Sequence, residues 1–236
     1  MKNDKSDPTA YAVVFHFLTG LLFLIIASVR GLQLQQLNGG ISLILISSAL
    51  WGAGTVLLFK ALKLLESSEV VIITSLRSIV TIIASILFLH ESFNVQKMIG
   101  TVIILLSVLL VTNEKKGLKF NNGVIFAIGS SLFYGSAIVI DSFILRSSDP
   151  LSYLAVTNFF IVAILVLFNP KTLFKLQFLK QRKFLGRMLP IAFLSSAQAI
   201  AYYYALTIGN TSQIAPIGQS QIIVSVFLAA IILKER

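Results

Sequence analysis

The sequence predicts an all-α polytopic membrane protein with eight transmembrane helices, drawn from two inverted five-helix repeats. Three observations carry that prediction. Hydrophobic residues fill 56% of the 236 positions and charged residues 12%, with a mean hydropathy of +0.91; a soluble domain carries about 25% charged residues. The apolar residues fall in runs of about 20, the length that crosses about 30 Å of hydrocarbon, whereas barrel strands are short and alternate. Finally, SDPTAY at 6–11 returns as SDPLSY at 148–153, each time directly ahead of a long apolar run.

The apolar runs cover 10–29, 40–59, 70–89, 96–111, 122–144, 151–168, 188–206 and 213–233. The first stands close behind Met1, Lys2 and Lys5, as a secretion signal would. It is read as a retained span, because no small-x-small cleavage site follows it. Connections are short except the one after the sixth run, KTLFKLQFLKQRKFLGR. Its mixture of Leu and Phe with Lys and Arg fits either a short amphipathic helix in the headgroup layer or a basic loop.

The net charge of +10 does not point to nucleic acid, because the cations lie between the spans. One side holds 15 of them, ending with Lys234 and Arg236, and the other holds Arg30, Lys97 and Arg146. Positive residues accumulate on the cytoplasmic side, so both ends of the chain are expected in the cytoplasm, in a multi-pass protein of the plasma membrane. There is no cysteine, which removes disulfides, thiolate metal sites and thiol catalysis. No GxxxxGK[ST], HExxH, metal-ligand cluster or nucleophile elbow is present, so neither an enzyme nor a cofactor is expected.

The repeat extends beyond its opening phrase. Residues 53–91 lie on 197–235 without a gap at an offset of 144, with Ala61/Ala205, Leu62/Leu206, Ser68/Ser212, Ile79/Ile223, Val80/Val224 and Glu91/Glu235 among the identical pairs. Two anchors with offsets of 142 and 144 divide the chain into 1–116 and 117–236, a duplicated unit of the kind many secondary transporters use. A span precedes the second SDP but not the first, and a span follows Glu91 but not Glu235. The first repeat is therefore expected to lack its first helix and the second its last.

With these phrases in view, the sequence resembles the EamA-type branch of the drug/metabolite transporter superfamily. The resemblance rests on the short loops, on a helix ending FLHES followed by FNVQKMIG, on its partial copy ILKER, and on ALKLLESSEVVII with its copy ALTIGNTSQIAPIGQSQII. It implies a ten-helix inverted-repeat fold that exports small metabolites or drugs through a central cavity by alternating access. Members usually have both termini in the cytoplasm in the ten-helix form, whereas the charge count here would start a restored first helix outside; the charge count is preferred. Two other readings stand beside it. One is a non-transporting fragment or scaffold, for which a homodimer would most simply fill the missing positions. The other is a lipid-handling membrane protein or membrane enzyme, disfavoured by a chain with two histidines.

Candidate binding residues follow from polar groups inside the spans. Arg77 lies near the middle of the third, where a charge costs at least about 2.5 kcal/mol and usually serves an interior site. Thr74, Ser75 and Ser78 flank it. It is read either as an anion contact in a cavity or as a structural partner of a neighbouring helix. Its repeat equivalent is Gln221, and Gln219 corresponds to Ser75. With Pro216 and Gly218 beside them, they suggest a loosened helix at a substrate site or polar glue between helices. His16 and Asn158 are a matched pair at the SDP offset, facing a cavity or bonded within the bundle. Trp51 and Tyr202, ahead of Tyr203 and Tyr204, suggest an aromatic wall with the polar Gln198 one turn before Tyr202, or else interfacial anchoring or packing. His16 and Asp141 are the candidates for proton coupling, with Arg146 an alternative partner for Asp141. Glu91 and Glu235 end their helices and are read as structural, capping or pairing in the headgroup layer.

Overall fold

A computed structural model describes residues 7–92, 121–180 and 182–218, together with 95, 98–100, 102, 103 and 106. Among these residues every regular element is helical. In chain order the α-helices are α1 (Pro8–Arg30), α2 (Ile41–Leu64), α3 (Ser67–Thr74), α4 (Arg77–Leu89), α5 (Asn122–Leu145), α6 (Pro150–Phe168), α7 (Arg182–Ile208) and α8 (Thr211–Gly218). Among the described residues six stretches are long and apolar enough to span a bilayer: α1, α2, α3 with α4, α5, α6 and Met188–Ile208 of α7. The chain is an all-α polytopic membrane protein. The expected spans at 96–111 and 213–233 lie largely outside the described residues.

The repeated SDP is a helix-start signal. Asp7 is the N-cap of α1 and accepts from the Thr9 amide at 2.8 Å. Asp149 is the N-cap of α6 and accepts from the Ser152 amide at 2.8 Å. Proline follows each as the first helical residue, where its missing N–H costs nothing. Other boundaries keep the repeat spacing: α3 begins at Ser67 and α8 at Thr211, while α2 ends at Leu64 and α7 at Ile208.

The described residues form two compact units. One takes those up to Gly52 and from Ile140 to Ile208; the other takes Ala53 to Val139 and those from Gly209 on. Each unit therefore draws corresponding stretches from both copies of the repeat. In the first, α1 packs along α6. Gly20 allows the approach, since a Cβ there would stand 3.2 Å from the Asn158 Cβ. In the second, Ala61, Leu65, Val70, Ile73, Val124 and Ala127 form a buried cluster. Lipid competes equally well for apolar side chains, so close backbone approach and interhelical hydrogen bonds hold such bundles. Here Ser130 donates to the Gly54 carbonyl at 2.9 Å and Thr81 to the Gly135 carbonyl at 3.2 Å. Large apolar side chains such as Phe88, Phe168 and Ile208 remain exposed, which suits a surface solvated by lipid.

Two stretches depart from the expected pattern. The third apolar run is not one continuous α-helix, because the chain leaves α-geometry between α3 and α4, at Ser75 and Leu76. The basic connection is helical rather than a loop. Pro170–Lys180 forms a 3₁₀ segment and 182–187 are the opening turns of α7, which continues through Pro190. Lys175 pairs with Asp7, tying the 3₁₀ segment to the start of α1.

Candidate functional site

The unit built on α1 and α6 contains a buried carboxyl, Asp141 of α5, which is 0% exposed. Ser47 and Trp51 are four residues apart on α2 and so share a face. The Trp51 Nε1–H donates to Asp141 Oδ2 at 2.7 Å, and the Ser47 hydroxyl donates to Oδ1. The Tyr153 hydroxyl of α6 donates to Oδ1 and the Tyr203 hydroxyl of α7 to Oδ2, each at 2.5 Å. The two tyrosine rings stack with centroids 6.1 Å apart. Asp141 thus gathers three helices onto a fourth. Arg146, its alternative partner in the sequence, is exposed and makes no pair with it.

His16 and Asn158 meet directly, His16 Nδ1 lying 2.8 Å from Asn158 Oδ1. The Asn158 amide nitrogen donates to the Leu154 carbonyl and Thr19 donates to Oδ1. With Oδ1 acting as acceptor, the proton of the His16 contact sits on Nδ1. The next residues, Phe17 and Phe159, also meet, edge to face at 6.3 Å. Both pairs join positions 142 residues apart, the spacing of the SDP phrases, so equivalent positions of the two repeats touch here.

Trp51 and Tyr202 sit at the edge of the Asp141 group. Trp51 bonds the carboxyl, and half-buried Tyr202 packs edge-on against Tyr203. Gln198, one turn earlier on α7, points to an exposed face.

In the other unit, the break between α3 and α4 surrounds Arg77. The Ser75, Leu76, Ser78 and Ile79 amides bond three residues back rather than four, a tightened turn of the kind often found at functional hinges. Thr74 and Ser75 turn their hydroxyls onto the Val70 and Ile72 carbonyls, at 2.8 and 2.6 Å. Such back-bonding competes with the helical ladder and bends helices. The Ser78 hydroxyl reaches the Ala215 carbonyl of α8 at 3.2 Å. Gly135 of α5 fits tightly against the turn, because a Cβ there would stand 2.7 Å from the Arg77 carbonyl and 2.6 Å from the Val80 Cβ. Arg77 itself is half-buried, one residue from the middle of Ser67–Leu89. Among the described residues no carboxylate pairs with it, and its charge acts electrostatically on Tyr134, whose hydroxyl donates to Thr55 at 3.0 Å. Gln219 and Gln221 lie outside the described residues.

The expected cap is present at Glu91. Its carboxylate accepts from the Thr211 and Ser212 amides at 2.8 and 2.9 Å and from the Ser212 hydroxyl, closing the start of α8. Burial raises this carboxyl, but the Ser212 hydroxyl and amide and the Thr211 amide outweigh burial and hold it below the usual carboxylate range.

Sequence reasoning offered Arg146 as one alternative partner for Asp141, did not single out Ser47 or Tyr153, and placed Tyr202 ahead of Tyr203. The four-residue spacing of Ser47 and Trp51 on one helix face was the signal available.

An all-α bundle with charged and amide groups inside its spans defines a polytopic membrane protein. The EamA-like transporter family matches residues 3–113 and 121–236, and the chain belongs to that family. Two matched segments show the duplication directly, and the family is one of membrane transporters of small molecules rather than enzymes. No curated protein matches significantly. Among solved structures, one described as "Crystal structure of protein" is similar in fold, with a TM-score of 0.69 at 14% identity over 98% of this chain and 80% of that one.

Proposed function

We propose that this protein is a secondary transporter that exports small organic metabolites or drugs across the plasma membrane by alternating access, with both chain ends in the cytoplasm. Arg77 is the principal substrate contact and favours substrates bearing a carboxylate or another anionic group. The supporting observation is its setting: a half-buried guanidinium at mid-span, in a broken helix, with no carboxylate partner among the described residues. A charge held in a membrane segment with no counter-ion among the described residues suits a ligand that supplies one. Thr74 and Ser75 shape the break through their backbone bonds, and Gln219 and Gln221 supply amides at the repeat-equivalent position. The strong charge bias between the two sides supports cytoplasmic ends.

The test is export by cells expressing the intact chain, read as extracellular accumulation across a panel of organic acids, amino acids and neutral solutes. Arg77→Ala should lower export of anionic solutes about tenfold or more, as expected for loss of a charge-assisted bond. Arg77→Lys should retain part of it. Undiminished export by folded, membrane-inserted Arg77→Ala would sink the assignment.

A further inference from the structure

Nothing in substrate binding explains why the buried acceptor on α5 is a carboxyl. Its partners are all neutral: Ser47 and Trp51 from α2, Tyr153 from α6 and Tyr203 from α7. No Lys, Arg, His or second carboxylate bonds it among the described residues. An ion pair cannot therefore be the reason for a carboxyl here, and an unpaired anion inside a membrane protein is costly.

The cage has a property a fixed acceptor does not need. The Trp51 indole N–H can only donate, but the other three partners are hydroxyls, which donate or accept by turning the O–H bond. Around the carboxylate all four donate. Around the carboxylic acid, a proton on Oδ1 has Ser47 or Tyr153 as acceptor and a proton on Oδ2 has Tyr203. Ser47 also lies 3.4 Å from the Tyr153 hydroxyl, so the Oδ1 side is a short hydroxyl chain. Both protonation states are satisfied without moving a heavy atom.

We infer that Asp141 is a reversible proton-binding site inside the helix bundle, serving as the coupling site of the transport cycle. The step is a single proton transfer: an O–H bond forms at Oδ1 or Oδ2 with a proton from water, and release reverses it. The coupling role rests on the transporter reading, whereas proton binding does not. His16 is not part of the cage, being bonded to Asn158 and joined to its repeat equivalent.

The molecule carries its own reporter, because Trp51 is its one tryptophan and its N–H points at the carboxyl. Trp51 emission of the purified full chain in lipid nanodiscs should show a one-proton transition between about pH 4 and about pH 10, below the usual range of tyrosine. Asp141→Asn should lose it. Tyr203→Phe, which keeps the ring and removes one hydroxyl, should displace the midpoint and guards against a misfolded Asp141→Asn. A flat wild-type titration, a transition that survives Asp141→Asn, or a midpoint unmoved by Tyr203→Phe would each overturn the proposal. A flat titration with export intact removes the proton site alone. A normal titration without export removes the transporter reading and leaves the proton site.

Discussion

Arg77 and Asp141 are both charged residues inside membrane spans, and the protein treats them in opposite ways. Asp141 is sealed, with both oxygens engaged by four donors from three helices. Arg77 is half-open, set in a turn that interrupts its own helix, with no carboxylate partner among the described residues. A saturated charge changes state only by gaining or losing a proton. An unsaturated one has capacity left for something that arrives from outside.

The sharpest way to break this contrast is to remove each side chain and measure thermal unfolding in detergent. Asp141→Ala leaves three buried hydroxyls and the half-buried Trp51 N–H facing a void, at about 1–3 kcal/mol for each buried one orphaned; it should be the most destabilising change discussed. Arg77→Ala removes no saturated network and should stay within about 0.5 kcal/mol of the wild type. Equal losses would mean that Arg77 is structural too. Gly135→Ala tests the packing behind the Arg77 turn. A Cβ there meets backbone as well as Val80, so helix displacement should cost about 1–3 kcal/mol and lower export without touching a polar group.

Smaller effects come from the half-buried carboxylate of Glu91, just past the end of α4. Glu91 is held below its ordinary range, so its contribution is complete above the unfolded-state value, about 4.3, and disappears as pH falls through the depressed folded value. Relative to the intrinsic rate at each pH, hydrogen exchange at the Thr211 and Ser212 amides should quicken on acidification in the wild type. In Glu91→Gln it should be faster from the start and lose most of that dependence. Unchanged exchange in Glu91→Gln would show that the cap does not hold α8.

How legible these regions were follows from the distance over which each is specified. Asp-Pro ahead of an apolar run acts within four residues, so both helix starts could be read, and Glu91 could be identified as a cap from its place at a helix end. Arg77 was visible as a charge, but the break beside it was not, because 70–89 reads as one apolar run and the Thr74 and Ser75 hydroxyls look harmless until they turn onto their own carbonyls. The Asp141 cage was hidden for another reason. Its partners lie 94, 90, 12 and 62 residues away, and only the packing of α2, α6 and α7 against α5 brings them together. Tyr202 and Tyr203 differ by one step of about 100° around a helix, and only the packed register of α7 shows which one faces the carboxyl.

The contact of His16 with Asn158 has a further consequence. Two identical chains meeting on a twofold axis must place the same residue on both sides of it, so any donor there faces its own copy. A chain carrying both halves escapes that restriction, and here one side became an imidazole that gives a proton and the other an amide oxygen that receives it. Duplication within a single chain thus permits a division of labour where equivalent positions touch that an assembly of identical subunits cannot reach.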